Sequence, residues 1–209
     1  MIDTYLTIKE DGQAELEIKK SRFICSLKRI ESEEEAKEFI QKIKKEHWKA
    51  NHNCSAFVLG EQNEIQRSSD DGEPSGTAGV PMLEVLKKNE LMNVAAVVTR
   101  YFGGTKLGAG GLIRAYSGAV ANALHEIGIV QGILQQEVFT TIDYSLLGKL
   151  QHYLEQKNLQ VKDTQFLENV TLCVMVEEVH VFQDEVTDLL NGQVTFFKGT
   201  SSYIEIPKK

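Results

Sequence analysis

The sequence predicts an α+β protein of two domains, residues 1–133 and 134–209. Three observations predict it. The last third orders its hydrophobic patterns as β-α-β-β-α-β, the ferredoxin-like split arrangement. The first two thirds mix a hairpin, helices and separate strands, and close on a strand, a glycine-rich stretch and an amphipathic helix. The two parts also differ in charge: residues 134–209 hold 6 lysines against 11 acids, whereas residues 1–133 hold 17 basic and 19 acidic side chains with all five arginines and the single tryptophan. A chain of 209 residues is long enough for two cores of this kind.

The elements follow in order. Gln13–Lys20 and Arg22–Ile30 alternate apolar and polar residues (Ala14, Leu16, Ile18; Phe23, Cys25, Leu27) and read as a hairpin. Ser32 followed by Glu33, Glu34 and Glu35 is an N-cap with acids in the first helical turn, and Ala36, Phe39, Ile40 and Ile43 supply that helix with a buried stripe. Asn53–Gly60 reads as a strand, Gln66–Gly79 as a polar loop and Val80–Lys88 as a short helix with Pro81 in its first turn. Val94–Tyr101 is an apolar run expected to be a buried strand. Leu112–Ile127 is a helix that Gly128 ends, followed by a short connection. In the second domain Glu137–Asp143 is a strand, Ser145–Lys157 a helix, Leu159–Phe166 and Val170–Glu177 strands, and Val179–Leu190 a helix. A final strand falls between Val194 and Ile206.

Bulk properties exclude several classes. The start of the chain has no basic segment followed by an apolar one, so no secretory signal is expected, and no apolar run reaches the roughly 20 residues that span a bilayer. Cys25, Cys54 and Cys173 are odd in number and widely spaced, which fits reduced thiols in a cytoplasmic protein better than a disulfide framework. A net charge of −7 argues against coating nucleic acid by bulk charge. Any polyanion contact should therefore map to the arginine-bearing N-terminal part.

One segment speaks about function. Leu91 to His125 contains no acid, and at its centre Arg100-Tyr101-Phe102-Gly103-Gly104-Thr105-Lys106-Leu107-Gly108-Ala109-Gly110-Gly111-Leu112-Ile113-Arg114 joins strand to helix. Glycine-exposed backbone N–H groups at a helix start, flanked by cations, can hold an anion. The spacing fits no Walker A loop, because Ala109-Gly110 stands where Gly-Lys-Ser/Thr is required. It fits no dinucleotide fingerprint either, because Ile113 occupies the third glycine position. Arg114 is expected in the first helical turn, where the macrodipole disfavours a cation. Two readings stand: an anion site, or glycines that only shape a turn and permit close packing.

Two further groups are candidates. Asp70, Asp71 and Glu73 lie in a loop with Gly72, Pro74, Gly76 and Gly79; they could hold a hard cation through oxygen, neutralise Arg100, Lys106 and Arg114 across the fold, or form a solvated acidic loop. His47, His52 and Cys54 suggest zinc but lack a fourth ligand of recognisable spacing, and His52 and Cys54, on one strand face, lack an orienting third group for a thiol nucleophile. They read as partly buried structural residues, with His52 and Trp48 available to a recognition surface.

Asp70–Pro81, His52–Ala56 and Arg100–Tyr116 together resemble the IMPACT / YigZ family, in its bacterial two-domain form, and the resemblance covers essentially the whole chain. It implies an N-terminal domain with the left-handed β-α-β fold shared with a small-subunit ribosomal protein, elongation factor G domain IV and GHMP kinases. It implies a ferredoxin-like C-terminal domain similar to elongation factor G domain V. Eukaryotic relatives regulate translation through a starvation-sensing initiation-factor kinase that bacteria lack, and the family offers no catalytic residues to carry over. The favoured expectation is a cytoplasmic, non-enzymatic regulatory protein with no cofactor and no membrane partner. It would bind RNA, the ribosome or a translation factor through Arg100, Tyr101, Gly103, Gly104, Lys106, Gly110, Gly111 and Arg114, with Asp70, Asp71, Glu73 and His52 as recognition or metal residues. The alternative is a phosphoryl-transfer or metal-dependent hydrolytic enzyme using the glycine loop and Asp70, Asp71 and Glu73.

Overall fold

The computed structural model describes residues 2–208. Its elements in order are β1 (Thr4–Ile8), β2 (Gly12–Ile18), β3 (Ser21–Arg29), α1 (Glu33–Glu46), β4 (His52–Leu59), β5 (Ile65–Ser69), α2 (Gly79–Lys88), β6 (Val94–Tyr101), α3 (Gly108–Ile127), β7 (Ile129–Ile142), α4 (Leu147–Gln156), β8 (Val161–Phe166), β9 (Val170–Val176), α5 (Val179–Leu189) and β10 (Thr195–Pro207). The fold is α+β. It divides into two compact units, one of residues 1–132 with 205–209 and the other of residues 133–204. Among the described residues no helix is long and apolar enough to cross a membrane.

The first unit is built on a sheet of order β2-β3-β6-β4-β5. β3 and β4 both run antiparallel to β6, so α1 carries the chain across β6 between two parallel strands. Both faces of β6 are covered, which explains its unbroken apolar run. Val94, Ala96 and Val98 pack in the layer of α2 and α3, while Ala95 and Val97 pack with Ala36, Phe39 and Ile43 of α1. Ser32 caps α1 by accepting from the Glu35 N–H, as its position in the sequence predicts.

In the second unit the strand order is β10-β7-β9-β8, with α4 and α5 supplying the core through Leu150, Leu154, Phe182 and Val186. This is the order that a ferredoxin-like β-α-β-β-α-β chain produces.

Four expectations are corrected. The segment read as a polar loop, Gln66–Gly79, begins with the edge strand β5 paired to β4; its outward side chains make it polar, and edge position rather than alternation decides its structure. Helix α3 starts at Gly108, four residues before the apolar pattern, and its first turn runs through glycines of poor helix propensity that apolar periodicity does not mark. Arg114 therefore stands in the second turn, its Nε donating to the Gly110 carbonyl, and the macrodipole penalty expected of it largely falls away. No connection follows Gly128: with φ of 90° it ends α3 and β7 begins at the next residue. β1, which the sequence reading did not assign, pairs with β7.

Candidate functional site

Strand alternation determines where Arg100 goes. It lies two residues beyond Val98 on the same face of β6, so its side chain enters the layer between sheet and α3 instead of solvent. There its guanidinium sits over the rings of Phe23 at 5.4 Å and Phe102 at 5.5 Å, a favourable cation–π arrangement. Its Nη1 donates to Glu73 Oε1 at 2.6 Å, and only 6% and 4% of the two side chains is exposed. The Tyr116 hydroxyl, from the buried face of α3, donates to the same oxygen at 2.7 Å. Burial first, then Cys54 and Glu73 beside it, push the Tyr116 phenol far above its ordinary range, so it remains a donor. Arg100 Nε is buried without a partner.

The loop of acids is held almost entirely by internal bonds. Asp70 accepts backbone N–H groups from Gly76 at 2.9 Å, Ala78 at 3.1 Å and Gly79 at 2.8 Å, and so caps the start of α2. Burial opposes its charge, but the hydrogen bonds from Gly76, Gly79 and Ala78 outweigh this and hold its carboxyl below the usual range. Asp71 accepts from Lys44 Nζ at 2.6 Å and from the Asn53 N–H at 2.7 Å. Its carboxyl is likewise held low, against burial, by Lys44 and Asn53. The Asp71 carbonyl accepts from His52 Nδ1 at 2.9 Å. A carbonyl only accepts, so Nδ1 carries the proton and Nε2 is left 3.8 Å from Glu73 Oε2. Among the described residues no group of three acids, histidines or cysteines is disposed to hold a metal ion. Glu73 pairs with Arg100, Asp70 closes its own loop, and Asp71 ties that loop to α1 and β4.

Cys54 is buried, and its thiol donates to the Asp70 carbonyl at 2.9 Å. Burial pushes its pKa up to about 12, which leaves it a neutral thiol at physiological pH.

Lys106 and Arg114 are exposed, and among the described residues neither forms an ion pair with a carboxylate. Helix α3 opens without an acid in its first turn, and its N-cap residue Leu107 supplies no side-chain acceptor to its leading N–H groups. A cleft of about 470 Å³ lies in front of them, lined by Asn51, His52, Glu73, Arg100, Phe102 and Lys106 together with the first residues of α3. The structure thus brings His52, Glu73, Arg100 and Lys106 together. Asp70 and Asp71 do not line the cleft, and Arg114 stands one turn along the helix.

Tyr101, expected on the recognition surface, is half-buried: its hydroxyl bonds His47 Nδ1 at 2.9 Å and Arg22 covers its ring at 5.5 Å. The exposed aromatic among the residues lining the cleft is Phe102, 45% accessible and held by the bond from its N–H to Asn51 Oδ1 at 2.8 Å, while Trp48, 73% accessible, does not line it. Sequence reasoning missed Phe102. The available signal was its position just past the end of an apolar strand, where alternation no longer requires burial.

Comparison with known proteins bears on the whole chain. The Impact N-terminal domain model matches residues 19–124, and a domain of unknown function, DUF1949, matches residues 140–193. The chain is 52% identical over 207 residues to the IMPACT family member YvyE of Bacillus subtilis, covering 98% of this chain and 95% of that one. It is 36% identical over 182 residues to the IMPACT family member YigZ of Escherichia coli, covering 85% and 89%. A crystal structure described as that of a hypothetical protein superposes with a TM-score of 0.60 at 33% identity, covering 94% of this chain and 98% of that one. With both units matched in this way, the chain belongs to the IMPACT family, in the form that joins an Impact N-terminal domain to a DUF1949 domain.

Proposed function

We propose that the protein is a cytoplasmic, translation-associated regulatory protein that binds RNA, alone or as part of the ribosome or of a complex with a translation factor. The glycine-rich surface between Arg100 and Arg114 is its binding site. The observation that carries this reading is the start of α3: a 20-residue helix with an uncapped N-terminus and no acid in its first turn, in a chain of net charge −7. An uncapped helix start favours an anion, and Lys106 and Arg114 add two exposed cations beside it. The translation context rests on the family resemblance.

Arg100 supports this site from within. It is buried on Glu73, so it orders the loop and the cleft wall, and the outward contacts fall to the α3 backbone, Lys106 and Arg114. The acids that an enzymatic reading would need for a metal are engaged by Lys44, Arg100, Tyr116 and backbone N–H groups.

The test is co-sedimentation of the purified protein with ribosomes across a salt series. The Lys106→Ala/Arg114→Ala double variant should be released at distinctly lower salt than the parent. Equal retention of both proteins at every salt concentration would contradict the assignment of this surface.

A further inference from the structure

The β2–β3 hairpin closes on a two-residue turn, Lys19-Lys20, flanked by the Ile18–Ser21 pair. Both lysines have positive φ, 47° and 65°. A two-residue turn of this type requires that conformation at both positions and ordinarily selects Asn-Gly; a lysine there is strained by its Cβ. The hairpin therefore keeps two long cationic side chains where its own geometry disfavours them. Both are exposed, and among the described residues neither has a carboxylate partner.

This turn abuts the glycine loop. A Cβ on Gly103 would lie 2.0 Å from the carbonyl carbon and oxygen of Lys20, so only glycine permits the contact. The Gly103 N–H donates to Ser21 Oγ at 3.1 Å. Loop and hairpin tip are thus fastened together, although more than 80 residues separate them in sequence. Phe102, the exposed aromatic of the cleft, precedes Gly103, and Lys106 follows on the same loop.

We infer that the Lys19-Lys20 turn is a second phosphate-contacting element of the binding surface, and that the full surface takes a single-stranded RNA segment. One phosphate lies at the start of α3, a base stacks on the open face of Phe102, and the neighbouring phosphates lie on the hairpin tip. This rests on the RNA-binding reading of the glycine surface and extends it to residues outside that segment. The α3 end of the site does not stand on helix geometry alone. Lys106, exposed and without a carboxylate partner among the described residues, lines the same cleft, and Arg100, 5% exposed with its buried Nε unpartnered, forms part of the cleft wall. The exposed aromatic favours RNA over an acidic protein segment, because every base offers a face for stacking.

The test exploits the strain. Lys19→Asn/Lys20→Gly removes both charges while installing the residues that the turn prefers, so the variant should unfold at a higher temperature than the parent. Its affinity for fluorescein-labelled single-stranded oligo(U), read by anisotropy, should fall about tenfold near 0.1 M salt. The slope of log K against log salt should shrink by about 1.4, two phosphate contacts at roughly 0.7 each on a single strand. Affinity and slope equal to the parent's, with Lys106→Ala/Arg114→Ala still defective, would overturn the role of the turn and leave the glycine surface standing. No oligo(U) binding by the parent, or equal binding of poly(glutamate), would overturn both.

Discussion

Arg100 and Glu73 form a 2.6 Å ion pair from which solvent is almost absent, and Tyr116 donates to the same carboxylate oxygen. Removing one partner strands the other charge in the core, which typically costs about 3–5 kcal/mol. Arg100→Ala and Glu73→Ala should each lower stability by that order in urea unfolding. Arg100→Met/Glu73→Leu should lose clearly less than the sum of the two single changes. Tyr116→Phe should cost about 1–3 kcal/mol, the penalty for leaving a buried acceptor short of a donor.

The glycines of the loop separate into two kinds. Gly104 has φ of 86° and open space around it, so Gly104→Ala should cost about 1–2 kcal/mol through backbone strain alone. Gly103 meets the Lys20 backbone, which cannot swing aside like a side-chain end. Gly103→Ala should therefore cost more, about 3 kcal/mol by comparison with overpacked cores. It should also loosen the loop from the hairpin, visible as faster amide hydrogen exchange at residues 19–22 than Gly104→Ala produces.

Asp70 closes its own loop and caps α2 through three backbone N–H groups. Asp70→Ala should cost about 1–2 kcal/mol, at the upper end of measured N-cap losses. Asp70→Asn, which keeps an acceptor oxygen, should retain part of this in thermal unfolding.

In the second unit Lys162, then the N–H and hydroxyl of Thr200, hold Glu137 down from 4.5 to about 2. A carboxyl depressed in the folded state contributes stability above its unfolded value and loses that contribution as pH falls through the folded one. The window is thus from about 4.5 down to about 2. Glu137→Gln should be less stable than the parent at neutral pH. Between pH 5 and 2 its stability should fall less steeply, as followed by hydrogen exchange in β7 and β9.

Much of the fold was legible because periodicity reports burial directly. The two-sided run of β6, the Ser32 cap, the Gly128 stop and the element order of the second unit all follow from residue pattern. β5 was hidden because its outward-facing polar residues show no apolar alternation, and the start of α3 because its first turn is rich in glycine and carries no apolar stripe. At the candidate site, sequence singled out the glycine-rich segment but neither the start of α3 nor the interior position of Arg100. Strand parity assigns faces only once the helix layer against each is known. The Lys19-Lys20 turn lay beyond its reach because its association with the loop is a contact made at long sequence separation.

The most direct measurement is the salt dependence of single-stranded RNA binding by the intact protein and by Lys106→Ala/Arg114→Ala. With the glycine surface as the binding site, the parent binds with a negative slope of log K against log salt. The double variant then loses about tenfold in affinity and about 1.4 in slope, while its unfolding temperature stays unchanged because neither side chain is in the core. Superimposable salt curves for the two proteins, or a parent that does not bind RNA at low salt, would contradict it.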